Sequence, residues 1–113
     1  MDKSFKSLSL VYGLLQEAHD LGMRAYAAEK MGETKRFRKL LEQAYIKIKT
    51  CLPLLPGCSN EIKATVYLMC AWYSKDLGEN KVCLDYIVKG KLLKEPKYNP
   101  KFDKVLSQIV DKV

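Results

Sequence analysis

The amino-acid sequence predicts an all-α protein, and three observations support that fold class. Apolar residues recur at spacings of three and four through most of the chain, which is the period of an amphipathic helix. Glycines and prolines separate these segments, and no stretch alternates apolar and polar residues as a half-buried strand would. Hydrophobic residues make up 48% of the 113 positions and charged residues 29%, as in ordinary globular domains. We therefore expect four to five helices in a single domain over residues 1–113.

The first half of the chain predicts a hairpin of two helices over about residues 4–52. The first helix is expected to run from about residue 4 to residue 31 and to end at Gly32. The second begins near Thr34 and ends before Pro53, because proline breaks the helical hydrogen-bond pattern. The residues expected on the inward-facing stripe are Leu8, Val11, Tyr12, Leu15, Ala18, Leu21, Gly22, Ala25, Ala28 and Met31 in the first helix, and Phe37, Leu40, Leu41, Ala44, Tyr45 and Ile48 in the second.

The second half predicts another hairpin, over about residues 60–95. Ser59 or Asn60 is expected to cap its first helix, and Gly78 suits the left-handed conformation that often follows a helix. Pro96 stops the second helix, which we expect to reach about Lys94. The inward-facing residues are Val66, Met69, Cys70, Tyr73 and Leu77, then Val82, Cys83, Tyr86 and Ile87. Two small residues would let the two backbones approach closely: Ala71 and Gly90.

A short fifth helix is expected over about residues 101–112, after Pro100. Its apolar stripe consists of Phe102, Val105, Leu106, Ile109 and Val110. In helical arrays, a final amphipathic helix commonly covers the exposed apolar face of the last hairpin. We expect the C-terminal helix to cap the second hairpin in this way.

Residues 64–96 also carry the spacing of a known helical repeat, whose first helix follows the motif W-x2-L-G-x2-Y. The residues at that spacing are Tyr67, Cys70, Ala71 and Ser74, followed in the second helix by Cys83, Ile87 and Gly90, with Pro96 one residue late. The stretch resembles a tetratricopeptide repeat. The first half fits more loosely, because about four extra residues separate Gly32 from Leu41. The resemblance implies two antiparallel TPR-like hairpins and a non-catalytic function in binding another protein or peptide.

The resemblance also implies a binding groove on the first helix of each hairpin. In the second hairpin this places Leu68, Trp72 and Lys75 in the groove, and in the first hairpin it places Tyr26 and Lys30 there. An exposed tryptophan flanked by lysines would anchor a peptide that carries acidic side chains or a C-terminal carboxylate. Alternatively, Trp72 packs against the N-terminal helix or against the partner subunit of a homodimer. The sequence leaves both interpretations open.

The sequence shows no recognisable catalytic, metal-binding or cofactor-binding motif. It has no phosphate-binding loop, dinucleotide-binding glycine pattern, zinc-protease motif or hydrolase nucleophile elbow. Its four cysteines, at positions 51, 58, 70 and 83, form no C-x2-C pair, and His19 is its one histidine. We expect a protein that is not an enzyme and that holds no metal and no cofactor. A disulfide between Cys51 and Cys58 stays open as an alternative.

Charge suggests a second class of partner. The net charge is +7, and four basic residues cluster at the start of the second predicted helix: Lys35, Arg36, Arg38 and Lys39. This basic patch is either a solvated outer helix face or a surface that contacts the phosphates of nucleic acid or an acidic protein. No segment approaches the ~20 apolar residues needed to cross a bilayer. We therefore expect a cytoplasmic protein with no membrane partner.

Overall fold

The computed structural model describes residues 3–111, and over that range the protein has five α-helices and no strand. The all-α fold class is thereby confirmed. The helices are α1 Lys3–Lys30, α2 Thr34–Lys49, α3 Asn60–Asp76, α4 Asn80–Lys91 and α5 Asn99–Ile109, with a short 3-10 turn at Leu52–Leu54. The helices form two compact units, an N-terminal unit (Met1–Gly57) and a C-terminal unit (Cys58–Val113).

Most helix ends follow the predicted stop and start signals, and the ends of α4 and α5 are shifted. Ser59 caps α3, since its hydroxyl oxygen accepts a hydrogen bond from the backbone N–H of Ile62 at 3.2 Å. Gly78 takes the expected left-handed conformation, with φ of 84°. The α4 helix ends at Lys91, earlier than predicted, and Lys94 lies in a left-handed turn with φ of 55°. The α5 helix begins before the predicted position because Pro100 falls in its first turn, where the N–H group that proline lacks would have no partner within the helix. It ends at Ile109, earlier than the predicted residue 112, which lies outside the described residues.

In the N-terminal unit, α1 and α2 form an antiparallel pair. Lys47 of α2 forms an ion pair with Glu17 of α1 at 2.9 Å, while Phe37, near the start of α2, packs against Tyr26 with ring centroids 5.8 Å apart. The buried residues between the helices include Val11, Ala18, Ala25, Leu41, Ala44 and Ile48. The prediction that Tyr12 and Met31 face inward was wrong, since both side chains are exposed. A helix turns Tyr12 about 100° away from its buried neighbour Val11, and Met31 lies after the end of α1.

In the C-terminal unit, α5 packs against both helices of the α3–α4 hairpin. It runs parallel to α3, since Tyr98 lies beside Thr65 near the two helix starts and Gln108 lies beside Lys75 near the two helix ends. It runs antiparallel to α4. Phe102, Val105 and Ile109 are fully buried, so α5 covers the hairpin as predicted. Two predicted inward positions in this unit were wrong, because Val82 of α4 and Val110 after α5 are exposed.

Gly90 makes room for α5. A Cβ atom added at Gly90 would lie 2.1 Å from Cζ of Phe102 and within 2.7 Å of two further ring atoms. Real Cβ atoms do not approach other heavy atoms so closely, so the ring occupies the space that a larger residue would need. The small residue at position 90 therefore permits the close approach of an aromatic side chain from a third helix.

Burial of Tyr73 predicts a pH dependence of stability. Desolvation, together with the neighbouring Cys70 thiol, raises the pKa of Tyr73 to about 12, whereas tyrosine in an unfolded chain ionises near pH 10. Between these two values the unfolded chain releases a proton that the folded chain retains, so stability is full below pH 10 and falls as the pH rises. We expect a loss of up to about 2 kcal/mol between pH 9.5 and pH 11.5.

Urea unfolding followed by circular dichroism at several alkaline pH values measures this loss. Tyr73→Phe removes the phenol and should flatten the pH dependence, while Tyr12→Phe alters an exposed tyrosine and serves as the matched control. Equal pH dependence in the parent protein and in Tyr73→Phe would contradict the assignment to Tyr73.

Candidate functional site

The α3 helix presents one buried face and one partly exposed face. Val66, Cys70 and Tyr73 point into the C-terminal unit and are buried. Leu68 and Trp72 stand on the opposite side of the helix, where their side chains are only partly covered. The predicted spacing of four residues thus places these two groove residues on a common face, and Lys75 follows one turn after Trp72.

Lys75 is held by three neighbours. Its Nζ atom lies 4.5 Å from the centre of the Trp72 ring and 3.0 Å from Oδ1 of Asp76, and it donates a hydrogen bond to Oε1 of Gln108. Only 14% of the Lys75 side chain is exposed. The ammonium group therefore contacts the indole ring and links α3 to α5, while Asp76 balances its charge. Sequence analysis missed this role, because no local pattern indicates that Gln108 lies beside Lys75.

The opposite end of the same α3 face is also linked to α5. The hydroxyl groups of Thr65 and Tyr98 are hydrogen-bonded at 2.9 Å, and Lys97 forms an ion pair with Glu61 at 3.4 Å. Polar contacts to the α5 segment thus lie toward both ends of α3, and the partly exposed apolar residues Leu68 and Trp72 lie between them. This arrangement creates an apolar surface bordered by polar contacts.

The two predicted groove residues of the first hairpin belong to the other unit. Tyr26 is partly exposed, and its ring packs on Phe37 of α2 with an angle of 49° between the ring planes. Lys30 is exposed in the last turn of α1. The five predicted residues therefore form two sets, Tyr26 with Lys30 in the N-terminal unit, and Leu68, Trp72 and Lys75 in the C-terminal unit.

The basic patch of Lys35, Arg36, Arg38 and Lys39 is exposed on the first turns of α2. Arg36 forms a surface ion pair with Glu33 at 3.5 Å, and Arg38 forms one with Glu42 at 3.2 Å. Within residues 3–111, Lys35 and Lys39 form no ion pair. Phe37, which lies between these basic residues in the sequence, packs its partly exposed ring on Tyr26.

A surface that sequence analysis did not single out lies on the outer side of α4. Val88 is 51% exposed, and Leu92, directly after the helix, is 71% exposed. Their spacing of four residues, on the side away from the buried stripe of Cys83, Tyr86 and Ile87, is the signal that could have identified them. This surface is separate from the α3 face that carries Trp72.

Within residues 3–111, the cysteines and acidic residues form neither a disulfide nor a metal-binding cluster. None of the four cysteines, all of which lie in the described part of the chain, forms a disulfide, so Cys51 and Cys58 are not bridged. Burial raises the pKa of the Cys83 thiol, although a hydrogen bond with Ser74 opposes the shift, and a protonated thiol is a weak nucleophile. Across the part of the chain that the structure describes, no three His, Cys, Asp or Glu residues lie close enough to hold a metal ion. In the same range, no helix combines the length and apolar character required to cross a membrane.

No protein-family model, curated protein or solved structure matches the chain. The resemblance of residues 64–96 to a tetratricopeptide repeat therefore stays a prediction that rests on residue spacing alone.

Proposed function

We propose that the chain is a non-catalytic binding module that takes up a segment of another protein on the α3 face around Leu68 and Trp72. The observation that carries this proposal is the environment of Trp72, the one tryptophan of the chain. Its side chain is partly exposed, and the ammonium of Lys75 lies 4.5 Å from the centre of its ring. Large aromatic side chains of fixed orientation contribute strongly to protein interfaces, because they bury much apolar area at little cost in conformational entropy.

The local charges favour an apolar anchor over an acidic one. Asp76 already balances the charge of Lys75, and Gln108 takes up another of its hydrogen-bond donors. A carboxylate on the partner would have to compete with both groups and would be repelled by Asp76. The segment that fits best therefore places an apolar side chain against Trp72 and Leu68, and leaves the Lys75 contacts intact.

Truncation of Trp72 tests this proposal. Peptides selected from a random display library on the immobilised full-length chain provide the ligand, and fluorescence anisotropy of a labelled peptide measures its dissociation constant. Trp72→Ala should weaken binding by about 2 kcal/mol or more, which is roughly thirtyfold. Tyr12→Ala, which removes an exposed aromatic side chain from the N-terminal unit, is the matched control and should bind like the parent protein.

Two results would contradict the proposal. One is a selected peptide that binds Trp72→Ala as tightly as it binds the parent protein. The other is a Trp72→Ala variant that loses several kcal/mol of unfolding free energy, which would place the indole in the core. Thermal unfolding followed by circular dichroism distinguishes a loss of stability from a loss of binding.

Nucleic-acid binding at the basic patch is the second candidate function. The observation that favours it is the pair of exposed lysines, Lys35 and Lys39, that have no ion-pair partner within residues 3–111. A salt titration separates the two candidates, because each phosphate contact steepens the logarithmic dependence of affinity on salt. Binding to an apolar segment at Trp72 should depend only weakly on salt.

A further inference from the structure

The α3 and α5 helices face each other along two lines of residues with matching spacing. The line on α3 consists of Thr65, Leu68, Trp72 and Lys75, and the line on α5 consists of Tyr98, Lys101, Val105 and Gln108. The hydrogen bonds at the two ends of these lines both join residues 33 positions apart. The same offset places Leu68 at the level of Lys101, in the middle of the α3 face.

The side of α5 that faces α3 carries two exposed lysines. Lys101 precedes Lys104 by three residues, and Gln108, which is bonded to α3, follows four residues later, so these side chains lie along one side of the helix. Neither lysine forms an ion pair within residues 3–111, although the Lys101 ammonium lies 5.3 Å from the centre of the Tyr98 ring. Each ammonium group has three hydrogen-bond donors, so this edge of the apolar α3 face can bind carboxylates.

The carboxylates of α3 and α5 are placed differently from these two lysines. Asp103 of α5 is turned toward α4, where it forms an ion pair with Lys91. Asp76 lies at the C-terminal end of α3, and Asp111 follows the C-terminal end of α5. Glu61, at the opposite end of α3, is balanced by a lysine just before α5. The middle of the α3 face therefore has a positive edge along α5, whereas its C-terminal end carries carboxylates.

We propose, on the basis of the function proposed for the α3 face, that the protein segment bound there is acidic along the side that faces α5. Its apolar side chains lie on Leu68 and Trp72. Its carboxylates meet Lys101 and Lys104, and so stay away from Asp76, which would repel them. Two exposed ion pairs add only modestly to affinity, so the weak salt dependence expected of an apolar anchor is retained. Their main effect is to select acidic segments among apolar ones.

Peptides selected from a random display library on the immobilised full-length chain test this partner chemistry. The tightest peptide should combine apolar and acidic residues, and fluorescence anisotropy measures its dissociation constant. Lys101→Glu/Lys104→Glu should weaken its binding about tenfold, because two attractions become repulsions. A version of the peptide with amides in place of its carboxylates should bind the parent and this variant equally. Lys81→Glu/Lys89→Glu makes the same charge change at two exposed lysines of α4, and as the matched control it should bind the acidic peptide like the parent.

A charge exchange shows that the variant still binds. A peptide with lysines in place of its acidic residues should bind Lys101→Glu/Lys104→Glu more tightly than it binds the parent, because the ion pairs are restored with their signs reversed. Selected peptides without acidic residues, equal losses in the two double variants, or a reversed peptide that prefers the parent would each overturn the proposal. So would a labelled oligonucleotide that depends on Lys101 and Lys104 when the acidic peptide does not.

Trp72→Ala distinguishes a failure of this proposal from a failure of the proposed function. A peptide that is weakened by Trp72→Ala but not by Lys101→Glu/Lys104→Glu binds the α3 face without the acidic contacts, which overturns the acidic partner alone. A peptide that is insensitive to Trp72→Ala overturns the proposed function and the acidic partner together.

Discussion

Replacing Phe102 with alanine should lower the unfolding free energy of the C-terminal unit by about 3–5 kcal/mol. The ring is fully buried, and it fills the space directly over Gly90 between α5 and α4. Its removal takes away a large apolar contact and leaves a cavity that the helix backbone of α4 cannot fill. Loss of this contact should also loosen α5, an eleven-residue helix that is too short to be stable alone.

Urea unfolding followed by tryptophan fluorescence measures the effect of Phe102→Ala. The one tryptophan, Trp72, lies on α3 of the same unit, so the signal reports on the unfolding of that unit. Val110→Ala is the matched control: it shortens an exposed apolar side chain next to α5 and should change stability by less than about 0.5 kcal/mol. Similar losses in the two variants would show that Phe102 does not hold α5 in place.

Replacing Gly90 with valine should cost about 3 kcal/mol, at the upper end of the range for overpacked cores. The new Cβ alone would overlap three atoms of the Phe102 ring, and the ring would have to leave its position. Helix propensity works in the opposite direction, since valine is a better helix former than glycine by a few tenths of a kcal/mol. The steric cost is several times larger and should decide the outcome.

Two comparisons make the Gly90→Val result specific. Gly13→Val is the matched control, because Gly13 also lies within a helix but has no neighbouring atom within 4 Å of an added Cβ, so that variant should be neutral or slightly stabilising. In a Phe102→Ala background, Gly90→Val should lose most of its cost, because the ring is gone. If the costs of the two substitutions simply add, the contact between these residues is not what limits the size of residue 90.

Local rules predicted the helices well. Ser59 and Gly78 mark helix ends through their own side chain or backbone, so their effect can be read from a few neighbouring residues. The inward-facing stripes were also predictable, because burial follows the helical period. Errors arose beside the stripes, as at Tyr12 and Val110, where successive residues differ by about 100° around the helix. A residue next to a stripe can be buried or exposed, and its polarity alone does not decide which.

The candidate site was predictable only in part. The spacing of Leu68 and Trp72 predicted a common face, which is a property of one helix. The engagement of Lys75 by Gln108 depends on the direction in which α5 packs, and residues 33 positions apart show no shared pattern in the sequence. The helical period of α5 assigned Phe102 to the core. Its contact with Gly90 depends on how α5 packs against α4, so the sequence did not predict it.

The parallel course of α3 and α5 has a consequence for folding kinetics. The polar links between these helices join residues that are 33 to 36 positions apart, and the links between neighbouring helices are more local still. The entropy lost on closing a loop grows only with the logarithm of its length, so none of these closures requires a long search. Small helical bundles fold on the microsecond-to-millisecond timescale. The C-terminal unit should therefore complete its three-helix core quickly, with α5 docking as the step that closes the longest loops.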